Sequence, residues 1–258
     1  MAKWNLSRTA RLAVAAAVFA VAPSCAVYEE VVTGLGVAAA TCSGEIIVTT
    51  TEENVSGDPR LCTPERRDCS FRAAMETVAA CHDLIEQPYA IRLASGEAYP
   101  LTDQPDAPLQ DIEIDLAITS SGENGPATLA FATPFYGFRV NGGRLSLENV
   151  ALDGAGGMTV DGAVALKNVV FRNVDGGIAI GETGFDNALE GENVSFLFDE
   201  GSTRGAGVSV FNFCRPCVIR GLRVQGSSRF TLQAALEEAD GGAQALSILP
   251  FETSGGRT

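Results

Sequence analysis

The chain has 258 residues, with 18 Lys and Arg against 32 Asp and Glu and a net charge of −14. A protein this acidic repels nucleic-acid phosphates and anionic lipid, so no nucleic acid is expected as a partner and a membrane only through a lipid anchor. No composition break divides the chain, and one domain of about 230 residues behind a leader is the economical organisation.

Residues 1–24 have the form of an export signal: Lys3, Arg8 and Arg11, then the apolar run Leu12–Ala22, then Pro23-Ser24. Its core of 11 residues is too short to span a bilayer. Ala22-Pro23-Ser24-Cys25 is similar to a bacterial lipobox, although Ala22 stands where Leu or Val is usual. The signal is therefore cut either before Cys25, which is then lipidated, or after Ala26. Both place the protein outside the cytoplasm, as a cell-envelope lipoprotein or a secreted protein. Without Lys3, Arg8 and Arg11 the basic count falls from 18 to 15 against 32 acidic residues, a net of −17, and Lys167 is the one remaining Lys.

Setting Cys25 aside leaves Cys42, Cys62, Cys69, Cys81, Cys214 and Cys217, an even set that in an exported protein predicts disulfides and not zinc. Cys62 and Cys69 flank a loop of turn formers, Thr63 to Asp68, that brings them together, and Cys42 with Cys81 is the remainder. Cys214-Arg215-Pro216-Cys217 either closes a small loop or leaves Cys217 as a buried thiol. No βαβ context surrounds this CxxC, so it is not expected to act in redox chemistry.

Residues 25–104 read as an N-terminal strand and a disulfide-braced cap. Ile46 to Asp58, Cys69-Ser70-Phe71-Arg72-Ala73-Ala74-Met75 and Ile91 to Leu101 carry the specific pattern. This region resembles the CSLREA-type N-terminal region of exported bacterial right-handed parallel β-helix proteins. The motif is matched at Cys69, Ser70, Arg72 and Ala74, while Phe71 replaces Leu and Ala73 replaces Glu. The resemblance implies fold and export, and little about activity. Ser70 is placed to cap a helix from Phe71 to about Ile85, with Phe71, Met75, Val78 and Leu84 near one face. Such a helix would plug the open end of a coil stack. His82, the single His, falls in it and reads as a helix-end residue, not a base.

Residues 105–228 read as coils. Ile112 to Ile118 is an early one, with Asp115 in the place that later coils give to Asn, followed by a turn at Ser120–Pro126. Four later stretches repeat apolar-x-apolar-x-Asn-apolar-x-apolar around Asn149, Asn168, Asn193 and Gly221, spaced by 19, 25 and 28 (168−149, 193−168, 221−193). Asn tolerates the left-handed conformation at a bend, and stacked Asn side chains can bond along the axis. A second series, Val140, Val160, Ile180 and Val210, is spaced by 20, 20 and 30 (160−140, 180−160, 210−180). Two series in step predict an all-β chain, a right-handed parallel β-helix or solenoid, over a β-sandwich. Longer excursions at Gly181–Ala188 and Leu197–Ala206 are the expected binding loops. Residues 229–258 read as a C-terminal cap and tail: a capping helix over Thr231–Ala239 stopped by Gly241-Gly242, a last strand at Ala245–Phe251, and a tail from Thr253.

Two function classes follow. A β-helix polysaccharide lyase needs calcium on clustered Asp and a basic residue to take a proton, and a glycoside hydrolase needs paired carboxylates. Asp153, Arg172, Asp175 and Asp199, each just past an inward strand, are the candidate catalytic residues, and calcium is the one cofactor in prospect, catalytic or merely stabilising. With Trp4 removed in the signal, sugar-stacking platforms reduce to Phe135, Tyr136, Phe138 and Phe198, which also suit the core. The competing class, and the one favoured, is a non-catalytic surface protein that presents its loops to a polysaccharide, a matrix component or a surface protein. It needs no metal.

Overall fold

Alternating apolar and polar residues give each short segment one buried face, and recurrence at a common phase lets successive segments pair in parallel. The computed structural model describes residues 42, 44–53, 62, 68–82, 88–102, 111–132, 137–154, 156–181, 187–199, 205–211, 214–226, 230–234 and 247–254. All belong to one unit, Thr41–Thr258. The signal, Trp4, Cys25, Leu84, Ile85, Phe135 and Tyr136 lie outside these residues, as do 182–186 and 200–204 of the two excursions.

In chain order the elements are β1 (Glu45–Ile47), α1 (Phe71–His82), β2 (Tyr89–Leu93), β3 (Ala98–Leu101), β4 (Asp115–Ser120), β5 (Ala127–Phe131), β6 (Phe138–Glu148) and β7 (Val150–Asp153). They continue with β8 (Met158–Lys167), β9 (Val170–Arg172), β10 (Gly176–Ile180), β11 (Asn187–Glu192), β12 (Ser195–Leu197), β13 (Ala206–Val210), β14 (Cys214–Gln225), β15 (Thr231–Ala234) and β16 (Ser247–Ser254). Every ladder between them is parallel, which makes the chain a parallel β-helix. The long strands β6, β8 and β14 bend through a corner and contribute to two faces each.

The first face stacks β1, β2, β4, the second halves of β6 and β8, β11 and the first half of β14. The second face stacks β3, β5, β7, β9, β12 and the end of β14. The third stacks the first halves of β6 and β8 with β10, β13 and β15, and begins at a single bridge from Ile112 to Val140. Inside, identical positions form columns. Tyr89, Leu116, Leu145, Val164, Leu189 and Cys217 are in register on the first face. On the second, Leu129, Leu152, Phe171, Phe196 and Val224 are in register, and the rings of Phe171 and Phe196 stack at 4.7 Å. All of these are buried, and burying one such aliphatic or aromatic side chain contributes roughly 1.5–3 kcal/mol. The Val140, Val160, Ile180 and Val210 series is the third-face column, paired rung to rung.

Corners decide which residues are allowed where. Between the first and second faces, Asn149, Asn168 and Asn193 take φ of 54°, 52° and 54°, and Gly221 follows at 73°. The Asn168 amide donates to Asn149 Oδ1 at 2.9 Å, the Asn193 amide to Asn168 Oδ1 at 3.0 Å, and the Asn149 amide to the Ser120 carbonyl at 2.9 Å. Entering the third face, Gly137, Gly157, Gly177 and Gly207 stack so closely that a Cβ on Gly177 would sit 2.0 Å from the Gly207 carbonyl oxygen.

Two expectations are corrected. Asp115 does not hold the Asn place: it opens β4, paired with Arg144, because Leu116 and Ile118 must align with Leu145 and Leu147, which moves the corner to Ser120–Gly122. Nor is Thr231–Ala234 helical. It forms β15, in register with Gly207–Val210, since the open edge of β13 offers ladder bonds that outweigh a local helix preference. Residues 235–239 of that expected helix lie outside the described residues. The final strand, Ser247–Ser254, runs further toward the C-terminus than the sequence pattern predicts.

Candidate functional site

At the N-terminal end, the Ser70 hydroxyl accepts the Ala73 N–H at 3.2 Å and so caps α1. The helix buries Phe71, Ala74, Met75 and Val78 against the first coils. Disulfides Cys42–Cys81 and Cys62–Cys69 tie this cap together. A third, Cys214–Cys217, spans a register shift where β14 carries one more residue than β11. Three disulfides are consistent with an oxidising, extracellular setting.

Arg72 is the cap's central ion. Its guanidinium reaches Glu53 at 2.8 Å with both side chains only 5% exposed. Glu53 also accepts the Thr102 N–H at 2.6 Å and the Thr102 hydroxyl. One carboxylate thereby joins the segment after β1, the start of α1 and the end of β3. The sequence reading missed Glu53; the lone Arg beside Ser70 in an otherwise apolar first turn was the available signal, because a buried Arg requires an acid. Glu76 on the same helix has its carboxyl pushed above the usual value by burial, only partly offset by Arg72.

Asp153, Arg172, Asp175 and Asp199 all fall near the corner that ends the second face. Asp153 and Arg172 occupy adjacent rungs in register, next to buried Leu152 and Phe171, without closing an ion pair. Asp199 is engaged elsewhere. Its Oδ2 accepts the Asn173 amide at 2.8 Å and its N–H donates to Asn173 Oδ1 at 3.0 Å. Asn173 has φ of 49° and is a bend residue of a second ladder, with Gly154 at 74° and Gly226 at 83°. Asp175 is exposed, two residues past that bend. The structure thus gathers the four along one corner but presents no pair of free, facing carboxylates among them. The second ladder was readable: Gly154, Asn173 and Gly226 each lie five residues after a first-ladder residue (154−149, 173−168, 226−221).

On the exposed side of the first face, Glu148, Lys167, Glu192 and Arg220 alternate in sign along one row. Lys167 donates to Glu148 at 2.7 Å, and this bond holds its pKa above the ordinary value. Phe138 and Phe198, considered as sugar platforms, are buried. Among the described residues, no three His, Cys, Asp or Glu side chains are grouped as metal ligands. Also among them, no helix is long and apolar enough to cross a membrane. His82 closes α1, and its Nδ1 is buried without a hydrogen-bond partner beside a cleft of 330 Å³. Comparison with protein-family models, curated proteins and solved structures finds no match for the chain.

Proposed function

We propose that this is a non-catalytic, exported cell-surface β-helix protein of the CSLREA-bearing kind, whose loops bind a glycan, a matrix component or a protein partner. The observation that carries the reading is the engagement of Asp199 by Asn173, which turns one of the candidate acids into a corner brace. Asp153 and Arg172 then stand as one charged row on a flat face, an arrangement suited to contact more than to proton transfer. Coil length supports the same view. From β6 onward the first-to-second corner is one residue wide at Asn149 and two at Asn168 and Asn193, so in these coils extra residues enter at the other corners, where the excursions lie. Inserted loops on one side of a rigid stack are the usual binding surface of a solenoid. Export rests on the leader and the disulfides, and anchoring on Cys25 with its lipobox-like flank.

The test uses the oxidised chain without its leader, with calcium and then with chelator, against neutral and acidic polysaccharides and matrix proteins. Binding that is lost when residues 200–204 are shortened, with no change in thermal midpoint, is the expected result. Unsaturated uronate absorbance or new reducing ends, abolished by Arg172→Ala or Asp153→Asn, would overturn the reading in favour of a polysaccharide lyase or glycoside hydrolase. Incorporation of labelled fatty acid into the full chain, lost in Cys25→Ala, tests the anchor.

A further inference from the structure

Among the described residues the third face starts one coil later than the other two, and its first rung, at Ile112, has no ladder partner on the N-terminal side. Ile112 makes both of its backbone bonds to β6: its N–H donates to the Arg139 carbonyl and its carbonyl accepts the Asn141 N–H, each at 2.8 Å. In a parallel ladder the neighbouring residues aim their N–H and C=O the opposite way. For Glu113 that is toward the N-terminal end, and among the described residues its backbone groups find no partner. An open edge of this kind is a template for another strand.

What faces this edge is a cleft, not bare solvent. One side of α1, at the i, i+3 and i+7 positions Met75, Val78 and His82, forms its opposite wall, and Ile112 and Leu116 its apolar floor. Met75, Val78, Ile112 and Leu116 are buried, so the floor is built. The His82 Nδ1 in this wall is shielded from solvent and has no hydrogen-bond partner, so the imidazole reports on the packing of the wall. Two carboxylates stand at the rim. Glu113 is exposed, and Asp111 is exposed and 3.8 Å from the Arg139 guanidinium.

We infer that this cleft binds an extended peptide segment of a partner protein, which adds one antiparallel strand to the third face with its central residue opposite Glu113. Its backbone N–H and C=O bond the Glu113 carbonyl and N–H, and an apolar side chain enters between Met75, Val78 and Ile112. A basic residue beside it meets the acidic rim of a chain whose net charge is −14. Backbone pairing with side-chain pockets at alternate positions is the general mode of strand addition. This inference stands on the cap and not on the loops, so either can fail alone.

The test is a nuclear magnetic resonance titration of the oxidised, isotope-labelled protein with acetyl-Lys-Val-Thr-Val-Lys-amide. The expected result is a shifted and exchange-protected Glu113 amide together with a shift of the single imidazole, His82. A peptide N-methylated at its central residue, and the Glu-flanked analogue, should each bind about tenfold more weakly, the scale of one or two lost hydrogen bonds or one charge contact. Glu113→Pro removes only the outward N–H, because Ile112 carries the ladder bonds, and edge strands accept proline. It should weaken binding likewise with the imidazole shift reduced in step. No response of Glu113 at millimolar peptide, or equal binding of the N-methylated peptide, overturns the inference. The N-methylated peptide decides the matter even if Glu113→Pro does not fold.

Discussion

Asn168 is the middle rung of the first corner ladder, and replacing it separates two physical contributions. Its φ of 52° lies where an ordinary L-residue is strained by roughly 1–2 kcal/mol, while Asn is tolerated. Its side chain also makes two bonds, to Asn149 and Asn193. Because the ladder is solvent-exposed, each contributes about 0.5–1 kcal/mol, and the stranded partners rehydrate. Asn168→Ala loses both contributions and should cost about 2–4 kcal/mol. Asn168→Gly loses the bonds and adds the unfolded-state freedom of glycine, roughly 0.5–1 kcal/mol, but escapes the strain. Glycine should therefore be the better replacement by about 0.5–1 kcal/mol, the reverse of the order at an ordinary strand position. The chain already uses this substitution at Gly221. Urea denaturation of the oxidised protein, with the slope held constant, measures both values. If alanine is tolerated as well as glycine, left-handed strain is not what selects Asn here.

Gly177→Ala should be among the worst single changes in the protein, because the new methyl meets the Gly207 carbonyl at 2.0 Å on a backbone with φ of 81°. A loss above about 3 kcal/mol or failure to express folded protein is expected, whereas Gly142→Ala, with open space and φ of 85°, should cost only about the 1–2 kcal/mol of left-handed strain. Arg72→Met should cost about 3–5 kcal/mol by leaving the Glu53 carboxylate buried and unpaired. The double variant Arg72→Met, Glu53→Gln should recover a large part of that in a double-mutant cycle. Glu76 gives a pH signature. Its folded pKa is raised, so its ionised form costs stability above that pKa, and the cost vanishes as pH falls below the unfolded value near 4.5. Glu76→Gln should therefore raise the denaturation midpoint at pH 7 and have little effect at pH 4; an equal gain at both would refute the assignment to burial of the charge.

The stack was legible because its determinants are local and periodic. Alternation marked each strand, Asn149, Asn168 and Asn193 marked one corner, and the Val140 series marked a whole face. Other determinants are periodic but silent in hydropathy. Gly137, Gly157, Gly177 and Gly207 keep the 20, 20 and 30 spacing of the Val140 series three residues upstream (140−137, 160−157, 180−177, 210−207), yet glycine carries no apolar signal. The cap is different in kind. Glu53, Arg72 and Thr102 meet from three separate segments, and a contact of that sort has no period to read. The helix expectation failed over Thr231–Ala234 for a related reason. Its residue types favour a helix in isolation, but β13 presents an unpaired edge in the position that β15 fills, and no feature within 231–234 reports that edge. For the candidate acids, position along the chain was readable and occupancy was not: Asp199 becomes a brace only because Asn173, 26 residues earlier, lies beneath it.

Unequal coils raise the question of how a solenoid tolerates insertion without losing register. Side-chain bonds between Asn149, Asn168 and Asn193 require each rung to lie directly on the last, so an added residue at that corner would break two bonds and displace a buried column on each side. The coil from Asn168 to Asn193 is six residues longer than the one before it (25−19), and none of the excess enters the Asn corner. One residue enters between β9 and β10 (178−158 against 172−153) and five between β10 and β11, after Ile180 has paired with Val160 and before Ala188 re-pairs with Ala163 (188−163 against 180−160). The next coil adds its extra length between β12 and β13, where Asn173 and Asp199 clamp the exit from the second face. Register is thus restored on the far side of every insertion by a fixed pairing, and loop length becomes free to vary without a stability cost that scales with it. From β6 onward the fold keeps one corner nearly constant in length and leaves the other two free to vary. On the proposed reading, shortening residues 200–204 abolishes binding and leaves the thermal midpoint where it was.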